Sequence, residues 1–280
     1  MTNRAAVLGS PIAHSLSPAL HRAGYTALGL TDWAYEALEM TEERLGPWLA
    51  GLGPEWKGLS LTMPLKRTVL GLVDHVQPLA KLVGGANTVV FNQAGAVGAN
   101  TDVHGIVAAI REARPDGWGA GRVRSASILG GGATAAAALA ALAELGVRRP
   151  RVYVRSTARA RPLLQAAGRM RVAPELHKLR DDAVASGWAA DLTISTLPPR
   201  AADQLAGQLA GGSAASAISA GGLLLDVAYD PWPSVLATAW ERAGGEVVSG
   251  KAMLLHQAAA QFQLMTGHAA PLEQMRAAIV

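Results

Sequence analysis

Cysteine is absent from the 280 residues, which excludes a disulfide framework, a thiolate zinc or iron–sulfur site and a cysteine nucleophile, and suits a reducing compartment. Long apolar runs are missing too. The stretches Ser125–Ala143 and Gln204–Leu225 carry no charge, but the first is cut by Gly130-Gly131-Gly132 and the second is loaded with Gly, Ser and Gln. Neither meets the roughly twenty apolar residues of a membrane span. The run that reaches Gly9 is too short for the apolar core of a signal peptide. The expectation is a cytoplasmic protein that is neither exported nor embedded in a membrane. Metal-ligand spacing is lacking as well: the seven histidines form no HExxH or related pattern, so no metal site is expected.

Lysine is scarce, supplying five of the 25 basic residues. The formal net charge is +4, and the basic excess lies in residues 105–249, which carry 16 basic against 12 acidic side chains. Arg148, Arg149, Arg151, Arg155, Arg159, Arg161, Arg169 and Arg171 follow one another without an intervening acid. A site for a polyphosphate or nucleic acid is one reading; a chain that simply uses arginine is the other. Nucleic acid is the weaker functional choice, because only Tyr153 interleaves with these arginines.

Half of the residues are hydrophobic, and short apolar runs alternate with helical stretches throughout. That alternation predicts an α/β protein with largely parallel sheets. Strands are expected at Ala5–Leu8, Gly58–Leu61, Thr88–Phe91, Ser127–Leu129, Arg151–Val154, Leu192–Ile194, Leu223–Val227 and Glu246–Val248. Helices are expected between them, among others at 18–28, 42–50, 64–72, 104–113, 133–145 and 251–265. The loop Arg114–Arg124, with Pro115 and three glycines, is a candidate domain boundary.

The strongest local motif runs from Ser127 through Gly130-Gly131-Gly132-Ala133-Thr134-Ala135 into an alanine-rich helix. Small residues there let the backbone approach a pyrophosphate, and free N–H groups at the helix start attract the anion. A second strand, Arg151–Val154, follows at βαβ spacing, which raises dinucleotide binding above a mere turn. Where an acid would hold the ribose 2′-hydroxyl of NAD stand Arg155 and Ser156, with Arg159 one helical turn on. A guanidinium fork and a hydroxyl suit a 2′-phosphate, so the residues select NADP.

In the first half, Ser15-Leu16-Ser17-Pro18 opens a helix, with Ser17 placed to cap it and Pro18 at the first helical position. Two hydroxyls at a helix start can also cradle a carboxylate. Gly58–Lys66 is a strand whose exit carries Thr62 and Lys66. Two runs, Asn87–Phe91 and Gly98–Asp102, flank a turn centred near Gln93. Antiparallel pairing about that centre sets Asn87 opposite Asn100 and brings Asp102 near Asn87.

Ser15-Leu16-Ser17-Pro18, Leu61-Thr62-Met63-Pro64-Leu65-Lys66, Gly85-Ala86-Asn87-Thr88, Asn100-Thr101-Asp102, the Gly130 loop, Asp226–Pro231 and Gly250-Lys251-Ala252-Met253 through Gln257 stand in the order of the shikimate dehydrogenase family, which the chain resembles from Gly9 to Gly267. The resemblance implies a two-domain α/β fold: an N-terminal substrate domain (1–105), joined by the returning C-terminal helix (250–280), and an NADP-binding Rossmann domain (106–249). It implies NADP-dependent interconversion of 3-dehydroshikimate and shikimate in aromatic biosynthesis, by a monomer or homodimer acting on a small molecule, with no nucleic-acid or membrane partner. Carried over by position, Ser15 and Ser17 bind the substrate carboxylate with help from Tyr229. Thr62, Lys66, Asn87, Asp102 and Gln257 surround the ring hydroxyls. Gly130, Gly131, Gly132, Ala133, Arg155, Ser156, Arg159 and Thr196 hold the cofactor, with Gly250 and Met253 beside the nicotinamide.

The chemistry agrees with that placement. Hydride transfer to a ketone leaves negative charge on its oxygen, which a lysine ammonium beside a carboxylate can stabilise and protonate. Lys66 is therefore the expected acid/base and Asp102 the group that orients it. The chain departs from the family at Ser60, where Asn is frequent, at Val154 and Ser156 in the cofactor motif, and at Met265, where Trp is common. Val154 removes an amide able to contact the adenosine ribose. Quinate or aminoshikimate dehydrogenases on this scaffold, a silent shikimate-pathway sensor and an arginine-rich nucleic-acid module are the rival readings. The presence of both Lys66 and Asp102 and the absence of spare length for a DNA-binding domain weigh against the sensor, and the nucleic-acid module ranks below it.

Overall fold

The computed structural model describes residues 2–115, 117, 123–179, 190–210, 218 and 221–280. The chain divides into two compact units, Met1–Gly105 with Leu254–Val280, and Ile106–Met253. The division does not fall in the Arg114–Arg124 loop, of which residues 116 and 118–122 lie outside the described residues.

In the first unit, strands β1 (Asn3–Gly9), β2 (Trp33–Glu39), β3 (Trp56–Leu61), β4 (His75–Val76), β5 (Thr88–Asn92) and β6 (Gly95–Ala99) form one sheet in the order β2-β1-β3-β5-β6-β4. β1 runs parallel to both β2 and β3, whereas β5 is antiparallel to β3 and β6. The expectation of parallel pairing thus holds for only part of this sheet. A two-residue turn returns β6 directly beside β5, and a connection that short forces antiparallel pairing. The pairing Thr88↔Ala99 through Asn92↔Gly95 is the register expected about Gln93.

Both faces of this sheet are covered. Along β1, Ala5 and Val7 enter one core cluster with Leu255, Phe262 and Met275, while Ala6 and Leu8 enter another with Leu45, Leu59 and Ala80. This alternation packs α1 (Ser17–Ala27), the long C-terminal helix and the short one after it against one face. It places α2 (Glu42–Ala50) and α3 (Pro78–Val83) on the other. The expected helix at 64–72 is instead a run of turns with a single 3-10 turn at Thr68–Gly71.

Ser17 does not cap α1. The helix begins at Ser17 itself, Leu16 occupies the cap position without a side-chain bond, and the Ser17 N–H points 3.4 Å from Ser15 Oγ. Leu16 is already helical (φ −84°, ψ −4°), so the turn starts one residue early and releases the Ser17 hydroxyl from capping.

α4 (Asp102–Ala113) leads into the second unit, whose strands β7 (Ala126–Leu129), β8 (Arg151–Val154), β9 (Glu175–Lys178), β10 (Leu192–Ser195), β11 (Leu223–Asp226) and β12 (Glu246–Ser249) are all parallel in the order β9-β8-β7-β10-β11-β12. This is the doubly wound dinucleotide-binding order, with its reversal between β7 and β10. β7, β10 and β11 are buried along their whole length, while the edge strands β9 and β12 carry polar, exposed residues. α5 (Ala133–Glu144) buries Ala135–Leu139, and its alanines allow close packing on the sheet. α6 (Arg161–Met170), α7 (Asp203–Ala210) and α8 (Val235–Arg242) follow, and α9 (Gly250–Thr266) returns the chain to the first unit, which ends with α10 (Leu272–Ala277).

Burial alone would raise Asp191, which precedes β10, but the Arg124 and Ser125 N–H groups and the Arg124 guanidinium outweigh it and hold the carboxyl below its ordinary value. Among the described residues no helix is long and apolar enough to cross a membrane.

His21 in α1 is fully buried and stacks on Tyr35 with ring centroids 4.1 Å apart. Burial drives its pKa from 6.5 down to about 3, the Gln261 side chain acting weakly in the opposite sense. The folded state holds His21 neutral, so the unfolded chain binds the extra proton between those values. Stability from this group is present above pH 6.5 and is lost as pH falls toward 3, by about 1.4 kcal/mol per unit. Urea titrations between pH 7 and 5 should show this slope in the wild type and a flatter one in His21→Leu.

Candidate active site

The ends of three strands and one helix start converge on Lys66. The Ser10 N–H donates to Met63 O at 2.9 Å, which fastens the loop after β1, carrying Ser15 and Ser17, to the turn after β3 that carries Thr62 and Lys66. A side chain at Gly9 would meet Thr62 Cγ2 at 2.3 Å, so only glycine lets these two loops approach so closely. The Ala86 N–H holds Lys66 O at 2.8 Å, fixing the lysine backbone beside Asn87. Glu39, at the end of β2, accepts from Ser10 Oγ and from the Ile12 N–H and so anchors the Ser15 loop from the other side.

Lys66 Nζ donates to Asp102 Oδ2 at 2.7 Å, with side-chain exposures of 14% and 5%. Desolvating such a pair costs several kcal/mol per ion, so it is poor evidence for stability and better evidence for a site that needs charge. Asn87 Nδ2 donates to Asp102 Oδ1 at 2.9 Å, to Thr101 Oγ1 at 2.9 Å and to Gln257 Oε1 at 3.0 Å. Lys66, Asp102, Asn87 and Gln257 therefore form one constellation within the first unit. Ser17 is buried and Ser15 and Thr62 are half-buried at the loops described above.

Thr101 and Gln261 belong to this network without having been assigned a role from the sequence. Gln261 stands one helical turn after Gln257 on α9, an i, i+4 spacing that puts both on one face, which was the signal available for it. Tyr229, Gly250 and Met253 lie in the second unit. The Tyr229 loop is anchored by Asp226, whose carboxylate accepts from Ser234 Oγ at 2.6 Å and from the Ala228 N–H at 3.4 Å. Burial nonetheless pushes the Asp226 carboxyl up. Gly250 starts α9 where any Cβ would strike Val227 O at 2.1 Å.

In the second unit the glycine loop sits at the reversal of strand order. Gly130 has φ +111°, and a Cβ there would lie 2.4 Å from Thr196 Oγ1, which itself donates to Leu129 O at 2.9 Å. A Cβ at Gly131 would lie 2.9 Å from Val154 Cγ1, so the absence of a side chain there leaves room for the valine against the loop. Gly132 is exposed, precedes the first turn of α5 and has open space where a Cβ would be. Arg155 and Arg159 are exposed just past β8, with Ser156 half-buried between them. An open cradle of N–H groups with no acid in the first helical turn, flanked by two guanidinium groups, fits the pyrophosphate and 2′-phosphate of NADP.

The family described as "Shikimate dehydrogenase substrate binding domain" matches residues 7–89, and that described as "Shikimate 5'-dehydrogenase C-terminal domain" matches residues 252–280. Shikimate dehydrogenase (NADP(+)) of Citrifermentans bemidjiense is 34% identical, covering 96% of this chain and 92% of that protein. The crystal structure of shikimate dehydrogenase from Mycobacterium tuberculosis superposes with a TM-score of 0.86 at 42% identity, over 99% of this chain and 98% of that one. The Thermus thermophilus shikimate 5-dehydrogenase in complex with NADP(H) and shikimate gives 0.81 at 29% identity, over 100% and 98%. The Corynebacterium glutamicum quinate dehydrogenase in complex with NAD gives 0.80 at 28% identity, over 99% and 98%.

Two glycines of the loop should separate folding from binding. Gly130→Ala forces a strained φ and a collision with Thr196, and should cost about 1–3 kcal/mol of stability. Gly132→Ala meets no protein atom, so its unfolding midpoint should stay within error of the wild type while affinity for a dinucleotide falls. Denaturation curves together with fluorescence titration of the reduced cofactor distinguish the two.

Proposed function

The chain belongs to the shikimate dehydrogenase family, and from that premise we propose that it catalyses the reversible, NADP-dependent reduction of 3-dehydroshikimate to shikimate in aromatic amino acid biosynthesis. The observation that carries the reading is the near-buried Lys66–Asp102 pair at 2.7 Å with the Asn87 amide against the same carboxylate. We assign substrate binding and acid/base work to the first unit and cofactor binding to the second. The cysteine-free composition suits work in the reducing cytoplasm, and the enzyme acts as a monomer or homodimer on its small substrate.

When bound, NADPH supplies the hydride for the ketone carbon. Lys66 gives its proton to the oxygen that gains charge and recovers it in the reverse direction. Asp102 holds the ammonium in one position through Oδ2, while Oδ1 is occupied by Asn87. Asn87 and Gln257 supply amide groups for ring hydroxyls beside the reacting carbon, and Thr62 supplies a hydroxyl from the same turn as Lys66. Ser15 and Ser17 at the start of α1, with Tyr229, take the substrate carboxylate, and the helix start favours that charge. Gly130, Gly131, Gly132 and Ala133, with Thr196, would hold the cofactor, and Gly250 and Met253 would serve its nicotinamide end. Arg155, Ser156 and Arg159 receive the 2′-phosphate, a role that a carboxylate at the end of β8 would forbid.

Absorbance of reduced nicotinamide, followed with shikimate or quinate and with NADP or NAD in turn, tests the assignment. Rapid reduction of NADP with shikimate is expected; preference for quinate with NAD would reassign the substrate. Lys66→Ala should lower kcat by about 10²–10⁴-fold, the range of general acid/base catalysis, with NADP binding unchanged. Retention of most turnover by that variant would remove Lys66 from the proton transfer.

A further inference from the structure

Behind the Lys66–Asp102 pair, a line of buried side chains crosses the sheet from β2 to the start of α4. Tyr35 Oη lies 2.6 Å from Ser60 Oγ, and Ser60 Oγ lies 2.8 Å from Gln261 Oε1. Gln261 Nε2 lies 2.9 Å from Asn87 O and 3.0 Å from Thr88 Oγ1, and Thr88 Oγ1 lies 3.0 Å from Asn87 Oδ1. Asn87 Nδ2 then meets Asp102 at 2.9 Å. Tyr35, Ser60, Gln261, Thr88 and Asn87 are each at most 3% exposed.

Two backbone groups fix the direction of every bond in this line. The Thr101 N–H, 2.7 Å from the Asn87 side chain, can only donate, so the Asn87 atom facing it is Oδ1 and its NH2 must face Asp102. The Asn87 carbonyl can only accept, so Gln261 turns its NH2 toward it and its oxygen toward Ser60. Thr88 accepts from that NH2 and therefore donates to Asn87 Oδ1. Ser60 must donate to Gln261 Oε1, which leaves its lone pairs to Tyr35, so the tyrosine donates. Along this line every donor points toward the Asn87 NH2, which meets the Asp102 carboxylate together with Thr101 Oγ1 and Gln257 Oε1. Bonds aligned in this manner polarise one another and strengthen the last acceptor contact.

We propose that Tyr35, Ser60 and Gln261 are positioning residues for catalysis, a one-way donor relay that locks the Asn87 amide against Asp102 and thereby fixes Lys66. The proposal rests on Lys66 and Asp102 being the reacting pair. Ser60, one of the positions at which the chain departs from the family, becomes the link between two strands and α9. Burial keeps the Tyr35 phenol raised well above its ordinary range, so its proton stays on as the head donor, and the Ser17 side chain interacts with the same hydroxyl. The neutral His21 ring stacked on Tyr35 adds no competing charge.

Tyr35→Phe and Ser60→Ala interrupt the relay without touching Lys66, Asp102 or the cofactor loop. Each is expected to lower kcat about fivefold, the worth of one buried hydrogen bond, with the KM for NADP unchanged. In 15N-labelled protein, the Asn87 side-chain NH2 resonances, identified by their loss in Asn87→Asp, are expected to move in Tyr35→Phe although the two residues share no contact. Wild-type kcat, or unmoved Asn87 resonances, in both variants overturns the proposal. Lys66→Ala measured in parallel separates the causes. If that variant is inactive while the relay variants are normal, the relay alone falls; if it turns over, the reading of the site falls and the relay with it. Tyr35→Phe removes one oxygen and keeps the ring, so it keeps the test decisive where Ser60→Ala fails to fold.

Discussion

A carboxylate with 5% of its side chain exposed is costly to bury unless both oxygens have partners, and Asp102 has them in Lys66 and Asn87. Much of the first unit can be understood as the scaffolding of that requirement. Asn87 reaches the carboxylate because the β5–β6 hairpin closes in one register, and Asp102 lies at the first turn of α4 because the strand ends there. Lys66 reaches it because a proline turn, not a helix, follows β3, and the Ala86 N–H grips the lysine carbonyl. A continuous helix over 64–72 would have carried the lysine along a different axis.

The second unit answers to a different constraint, access of backbone to an anion. Its parallel sheet is apolar through the middle, and its chemistry is confined to strand ends at the reversal of strand order. Gly130, Gly131 and Gly132 are three separate solutions there: one takes a φ that side chains resist, one admits Val154 beneath it, and one leaves room outside. The exposed Arg155 and Arg159 supply charge where neutral backbone is insufficient.

The glycine loop and the hairpin register, which brings Asp102 near Asn87, were legible in the sequence because each rests on short-range spacing, whereas Lys66, 36 residues from Asp102, was placed beside them only by the resemblance to the family. The two-unit α/β architecture was legible from the order of the motifs. Other features were not. β2 (Trp33–Glu39) mixes Glu and Ala with aromatics and lacks a clean alternation, yet it is paired because β1 beside it is buried on both faces. β9 and α3 are short and polar or proline-started, and only tertiary pairing gives them form. Ser17 looked like a cap, but one extra helical residue before it puts Leu16 at the cap position, which carries no side-chain bond. Gln261, Ser60 and Tyr35 meet across sequence separations of 25 and 201 residues, which no local pattern encodes.

The β5–β6 hairpin carries one more implication, for how this chain tolerates insertion and deletion. Its strands pair outward from a tip at 93–94 through five successive partners, from Asn92↔Gly95 back to Thr88↔Ala99. Residues added at the tip leave all five pairs matched, since both strands are displaced together. A single deletion inside either strand shifts every partner beyond it by one and turns alternate side chains to the opposite face. Length variation is therefore confined to the tip, and the spacing from Thr88 to Asn92 and from Gly95 to Asp102 is a ruler that natural drift and engineering alike must preserve.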